Sequence, residues 1–205
     1  MYKLVMVFLV AFAIQYKAFF IVDYINKKDQ VNIKNSLSNR IIISTLFSLV
    51  ITMLYLKYGS LTYIVPLFIG LLFTTILGYI DYYTKYVYSI VSIPLIIIGF
   101  STLILNILMK TVGFKVGVLI VVISSVFYLI SKLGYIGEGD VEVIIGLLLL
   151  FSRDLYILIF TIFFAFGISG ITGLYLLVFK KVNLNHSKPF IPSLGLALYL
   201  LMFLY

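Results

Sequence analysis

The sequence predicts an all-α membrane protein, a bundle of six to eight transmembrane helices. Of its 205 residues, 63% are hydrophobic and only 11% are charged, whereas soluble domains usually have about 45–50% apolar and about 25% charged residues. The apolar residues are gathered into long runs separated by short polar stretches, and a span needs about 20 such residues. Lipid therefore surrounds most of the chain.

Eight apolar segments follow one another along the chain. They lie at residues 4–22, 41–56, 61–79, 90–108, 116–130, 141–151, 155–179 and 190–204. The sixth is too short to cross a bilayer unless the glycine-rich loop before it enters the membrane. Because the polar stretches between the segments are short, we expect a single integral-membrane domain over residues 1–205.

The distribution of positive charge indicates how the segments are oriented. With the N-terminus outside, the inner loops are residues 23–40, 81–89, 131–140 and 180–188. These loops hold nine Lys and Arg residues and the outer segments hold five, and such an excess is typical of cytoplasmic loops. We therefore attribute the net charge of +8 to orientation in the cell membrane and expect no nucleic acid as a partner. Asp81 and Asp140 then both face the cytoplasm.

An unusual concentration of acidic residues lies just before the sixth segment. Glu138, Asp140 and Glu142 are three of only seven acidic residues in the chain. A carboxylate is unfavourable next to lipid, by roughly 2.5–3.5 kcal/mol at a helix centre. Gly137 and Gly139 precede the aspartate and, having no side chains, let another backbone come close. This stretch is therefore a candidate functional site.

A second aspartate, Asp81, follows the third apolar segment. Two carboxyl groups that meet do not easily both ionise, so one keeps its proton while the other acts as a base. The ionised carboxylate can then activate a water, and the protonated one can donate to a scissile carbonyl, as in aspartic proteases. We predict Asp81 and Asp140 as this pair, provided that helix packing brings them together. Taken singly, each could be an ordinary helix-capping residue.

Three segments resemble the type IV prepilin peptidase and preflagellin peptidase family of GxGD membrane aspartyl proteases. Residues 80–85 (IDYYTK) are similar to the first active-site segment, residues 137–141 (GEGDV) match the GxGD motif, and residues 188–195 (KPFIPSLG) are similar to the segment that opens the last span. The segments occur in the family's order. The resemblance covers about residues 60–205 and leaves 1–56 as extra N-terminal spans with a short polar loop.

The resemblance implies a membrane aspartyl endopeptidase with Asp81 and Asp140 as its catalytic residues. Its substrate would be a prepilin, pseudopilin or preflagellin precursor, cut at the cytoplasmic face between a short basic leader and a hydrophobic helix. Gly137 and Gly139 would let the extended substrate backbone approach the second aspartate.

The acidic neighbours of Asp140 are candidates for binding the basic leader. Glu138 lies two positions before Asp140 and Glu142 two positions after it. Their negative charges would attract a positively charged leader bound at Asp140. Ordinary polar residues at the membrane interface are the alternative reading of both glutamates.

Some positions depart from the family pattern. Glu142 stands where a lysine is frequent, Ile191 where a glycine is usual, and residues 88–89 (YS) where Pro-Asp is found. Larger members carry a cysteine-bearing insert associated with N-methylation, whereas the loop at residues 23–40 has no cysteine. We expect neither methyltransferase activity nor a cofactor. With no cysteine and the single histidine His186, we also expect no zinc or other metal centre.

Two other functions remain open at this point. Presenilin-like and signal-peptide-peptidase-like intramembrane proteases also use a GxGD motif, together with Pro-Ala-Leu near the C-terminus, where this chain has residues 192–194 (PSL). A small transporter with the two acids as a proton relay is the third reading. It predicts that Asp→Asn variants lose transport while no leader is cut.

Overall fold

The computed structural model describes residues 2–180 and 188–204, and this part of the chain contains helices and turns without any strand. The helices are α1 (Tyr2–Ala18), α2 (Phe20–Asp29), α3 (Leu37–Tyr58), α4 (Leu61–Thr84), α5 (Ser89–Leu108), α6 (Phe114–Lys132), α7 (Glu138–Leu150), α8 (Leu155–Lys180) and α9 (Ile191–Leu204), with a 3-10 turn at Ser152–Asp154. The prediction of an all-α polytopic helix bundle is confirmed.

Six helical stretches within the described residues are long and apolar enough to cross a membrane. They are Tyr2–Asp29, Leu37–Tyr58, Thr62–Thr84, Ser89–Leu108, Phe114–Lys132 and Ser152–Phe179. The remaining two apolar helices, α7 and α9, have 13 and 14 residues. At 1.5 Å per residue each is about 20 Å long, less than the hydrocarbon core of about 30 Å. The last predicted segment, residues 190–204, is thus a short helix, as α7 is.

The chain divides into two compact units, Met1–Leu72 and Phe73–Tyr205, with the boundary inside α4. In the first unit α1 packs along α3, and the rings of Phe47 and Phe68 meet edge to face with their centroids 5.4 Å apart. Every residue predicted for the functional site belongs to the second unit.

A polar turn connects α2 to α3 in the first unit. The sequence predicts a loop over residues 23–40, but only residues 30–36 lie outside helices, so that prediction is wrong at both ends. The reason is a side-chain network. Arg40 donates to both carboxylate oxygens of Asp23 at 2.6 and 2.7 Å, and Asn35 donates to Asp23 at 2.8 Å. These charge-assisted bonds connect the first turn of α2 to the first turn of α3.

Helix α7 is the buried centre of the second unit. It packs against α5, α6 and α8, and its residues from Val141 to Leu150 are mostly buried, as expected for a helix that is apolar all round. Its closest neighbour is α5. A Cβ at Gly99 would lie 2.6 Å from the carbonyl oxygen of Gly146, so only glycine permits this backbone approach, a common device in membrane bundles.

Candidate active site

Asp81 lies in the last turn of α4. The sequence predicts that it opens a polar loop over residues 81–89, but the helix continues to Thr84 and only residues 85–88 are outside helices. The extra turn forms because the N–H of Lys85 donates to the carbonyl of Asp81 at 2.8 Å, and the Thr84 hydroxyl donates to the carbonyl of Ile80 at 2.9 Å. The side chain of Asp81 is consequently buried, with 3% of the residue exposed.

The buried carboxylate of Asp81 is held by the start of α9. The backbone N–H of Ile191, the first residue of that helix, donates to Oδ2 of Asp81 at 3.0 Å, and the N–H of Phe190 donates as well. The first N–H groups of a helix lack partners within the helix and lie at the positive end of its dipole. This arrangement satisfies an acid that burial would otherwise disfavour.

Asp140 occupies the third position of α7, after the N-cap residue Gly137. Its carboxylate accepts a hydrogen bond from the backbone N–H of Gly137, which is one half of a capping box. Asp140 is half-buried. Both aspartates are therefore held by N–H groups at the N-termini of the two short helices, Asp81 by α9 and Asp140 by its own helix.

The two aspartates interact electrostatically. Burial, and secondarily the negative charge of Asp81, raise the pKa of Asp140 from its ordinary 3.8 to about 7, while the bond from Gly137 acts in the opposite direction. The turn after α4 also touches the GxGD turn directly, since a Cβ at Gly139 would lie 2.5 Å from Cβ of Val87. The structure thus brings together the two motifs that were predicted to meet.

The two glycines of the motif have neighbours within the protein. A Cβ at Gly137 would lie 3.0 Å from Oδ2 of Asp140, and the space beside Gly139 is filled by Val87. Both glycines therefore let their turn fit around Asp140 and against the turn that follows α4. Their predicted role in substrate approach stays a prediction.

The two candidate leader-binding glutamates have different environments. The Glu138 carboxylate lies 2.5 Å from Nζ of Lys132, and both side chains are largely exposed, by 69% and 51%. Glu142 is half-buried and accepts a hydrogen bond from the hydroxyl of Ser92 on α5. Glu138 is therefore accessible from outside the protein, whereas Glu142 links α5 to α7.

Sequence reasoning missed three polar residues of the second unit: Thr75, Ser92 and Tyr199. Each has a polar side chain inside an otherwise apolar run, which is the signal that could have identified them. Buried polar groups in lipid-embedded helices need partners, and these residues have partners on other helices. His186 lies outside the described residues.

Within residues 2–180 and 188–204 there is no group of three or more His, Cys, Asp or Glu side chains that could hold a metal ion. The arrangement at the site is instead a pair of carboxyl groups, one of which is half-buried. Two carboxyl groups that come within hydrogen-bonding reach can share a proton and activate a water between them.

Comparisons of the chain with protein-family models, curated proteins and solved structures returned no match.

Proposed function

We propose that this protein is a membrane aspartyl endopeptidase that removes the short basic leader from type IV prepilin-like precursors. The observation that carries the proposal is the contact between the motif of Asp81 and the motif of Asp140, where Val87 fills the space beside Gly139. The negative charge of Asp81 also acts on Asp140. Each motif resembles its counterpart in one protease family, and proton-sharing catalysis requires two neighbouring carboxyl groups.

The surroundings of the two carboxyl groups suit different roles. Asp81 is buried, which disfavours its ionised form, but it accepts hydrogen bonds from two backbone N–H groups that offset part of this effect. Asp140, with a pKa of about 7, is able to hold and release a proton near neutral pH. In the proposed mechanism Asp81 takes a proton from the attacking water, and Asp140 donates its proton to the oxygen of the scissile carbonyl.

Glu138 is the better candidate for attracting the basic leader. It is exposed and paired only with Lys132 among the described residues, and because solvent weakens an exposed ion pair, a substrate lysine can compete for it. We expect Glu138→Gln to raise KM for a leader rich in lysine, with the effect diminishing at high salt because salt screens exposed charges. An unchanged KM at low salt would remove Glu138 from leader binding.

A cleavage assay in membranes tests the proposed reaction. The wild type, Asp81→Asn and Asp140→Asn would each be co-expressed with a pilin precursor that carries a basic leader, and the precursor's size would be followed. Asp29→Asn is the matched control, because Asp29 is an exposed aspartate of the first unit. We expect both site variants to lose processing at normal membrane levels. Processing that survives either substitution would exclude that aspartate from the mechanism.

The position of the cut separates a leader peptidase from an intramembrane protease. Mass spectrometry of the product's new N-terminus should place cleavage between the basic leader and the hydrophobic helix. A cut inside the hydrophobic helix would instead indicate a presenilin-like activity. Loss of proton-coupled transport in the Asp→Asn variants, without any cleavage by the wild type, would indicate the transporter.

A further inference from the structure

In the second unit, the C-terminal part of α4 contacts α9 at two closely packed points. A Cβ at Gly78 would meet Cα of Pro192 at 3.4 Å, and a Cβ at Gly195 would meet Cβ of Thr74 at 3.8 Å. Small residues at such a crossing allow backbones to approach in lipid. These contacts follow α4 backwards from Asp81 while following α9 forwards from Ile191, so the two helices run antiparallel.

A hydrogen bond joins the two helices away from Asp81. The hydroxyls of Thr75 and Tyr199 lie 2.8 Å apart, six positions before Asp81 on α4 and eight positions after Ile191 on α9. At 1.5 Å per residue these offsets are about 9 and 12 Å along the two helices. Inside a membrane, such interhelical bonds lack competition from bulk water.

Two polar contacts place α9 along α4, while α9 also packs against α8. The contact between Ile191 and Asp81 locates the start of the helix. The contact between Tyr199 and Thr75 locates the helix two turns further along and limits its tilt relative to α4. We therefore expect the direction of the N–H groups of Phe190 and Ile191 toward Asp81 to depend on the second bond as well.

We propose that Tyr199 and Thr75 are positioning residues, whose hydrogen bond holds the N-terminus of α9 on the carboxylate of Asp81. Neither side chain touches reacting atoms in this scheme. The inference rests on the proposed peptidase function for its kinetic readout, but its geometric part stands on the contacts between α4 and α9 alone.

The kinetic test replaces the hydroxyl groups. We expect Tyr199→Phe and Thr75→Val each to lower kcat about 10-fold, because small misplacements of catalytic groups have effects of this order or larger. KM should stay nearly unchanged, and Thr75→Ser should keep the wild-type kcat. The double variant should be no slower than either single variant, since the two residues share one interaction. Wild-type kcat in Tyr199→Phe would overturn the proposal.

Matched controls remove hydroxyl groups that do not join α4 to α9. Thr161 is fully buried and its hydroxyl donates to the carbonyl of Ile157 in its own helix at 2.9 Å, so Thr161→Val controls for the loss of a threonine hydroxyl. Tyr156 is 80% exposed, so Tyr156→Phe controls for a tyrosine. We expect both to cleave at the wild-type rate.

A cross-link gives a readout that is independent of cleavage. The chain has no cysteine, and the Cβ positions of residues 74 and 195 lie 3.8 Å apart, which matches the usual Cβ separation of disulfides, about 3.8 Å. Thr74→Cys with Gly195→Cys should therefore form a disulfide on oxidation. Adding Tyr199→Phe should slow its formation. Equal rates with and without the Tyr199 hydroxyl would contradict a tethering role.

The same cross-link separates positioning from chemistry. In the Tyr199→Phe background, the oxidised cysteine pair should restore cleavage and reduction should abolish the gain. A cross-link that forms without restoring cleavage would overturn the positioning role. If the wild type cleaves no precursor, the proposed function fails, while the rate of disulfide formation still decides whether Tyr199 tethers α9.

Discussion

The backbone N–H of Ile191 donates to the buried carboxylate of Asp81 over 3.0 Å, across 110 positions of the chain. This bond connects the first and last of the three motifs that suggested a peptidase. It gives residues 188–195 a physical role, because the start of α9 supplies the donors that a buried acid needs. The middle motif interacts with the same acid, because the negative charge of Asp81, after burial, contributes to the raised pKa of Asp140.

The stability of the protein should fall as pH rises toward neutral. The pKa of Asp140 is about 7 in the folded protein and 3.8 ordinarily, so the folded state binds the proton more tightly. This contribution to stability is complete below about pH 4 and is lost as pH rises through 7, by at most about 1.4 kcal/mol per pH unit. Asp140→Asn should make the decline shallower.

Thermal unfolding in detergent between pH 4 and pH 8 measures this decline for the wild type and for Asp140→Asn. Asp29→Asn, at an exposed position of the first unit, serves as the control and should retain the wild-type slope. Identical slopes in the wild type and Asp140→Asn would show that this carboxyl does not titrate as described.

Gly139→Ala should destabilise the site. The new Cβ would lie 2.5 Å from Cβ of Val87, and forcing an extra methyl group into a packed contact typically destabilises by about 1–3 kcal/mol. We expect a lower melting temperature in detergent and slower leader cleavage. A second change, Val87→Gly, removes the clashing side chain and should recover part of both losses.

Gly167→Ala is the matched glycine control for that experiment. A Cβ at Gly167 in α8 has nothing within 4 Å among the described residues, so the change should be neutral or slightly stabilising in a helix. If Gly139→Ala behaves like Gly167→Ala, the turn does not depend on contact with Val87.

Ser92→Ala should weaken the junction between α5 and α7. It removes the hydroxyl that donates to the half-buried carboxylate of Glu142, and a buried acceptor without its donor destabilises by about 1–3 kcal/mol. Ser92→Thr keeps a hydroxyl and should be close to the wild type. Ser101→Ala is the control, since that exposed hydroxyl donates within its own helix at 2.9 Å. Equal melting temperatures for Ser92→Ala and Ser101→Ala would show that the hydrogen bond between Ser92 and Glu142 does not stabilise the contact between α5 and α7.

Cysteine labelling can determine the orientation of the site in the membrane. Single cysteines at Tyr86, Tyr135 and Met109 would be the sole thiols of the chain, and these positions are 71%, 80% and 67% exposed. Because α5 separates Tyr86 from Met109, a membrane-impermeant maleimide should label them from opposite sides, with Tyr86 and Tyr135 sharing the cytoplasmic side. Labelling of Tyr86 or Tyr135 from the outside would reverse the orientation expected from the positive-inside rule.

Much of the fold was predictable because it depends on local composition. Each of the eight apolar segments of the sequence contains a helix in the structure, since a backbone in lipid must satisfy its own hydrogen bonds. The helix ends were less predictable. Asp81 was expected in a loop and lies in a helix, because polar residues such as Thr84 and Lys85 continue the last turn through bonds that hydropathy does not detect.

The sequence by itself determined that this protein is a helical membrane protein and that Asp81 and Asp140 are its unusual acids, because both follow from how hydrophobic each stretch is. Only the tertiary structure decided which residues form hydrogen bonds with those acids and which residues form hydrogen bonds between the surrounding helices. Ile191 lies 110 positions from Asp81, and Tyr199 lies 124 positions from Thr75. In lipid, both the packed and the exposed faces of a helix are apolar, so periodicity does not reveal which face packs against which neighbour.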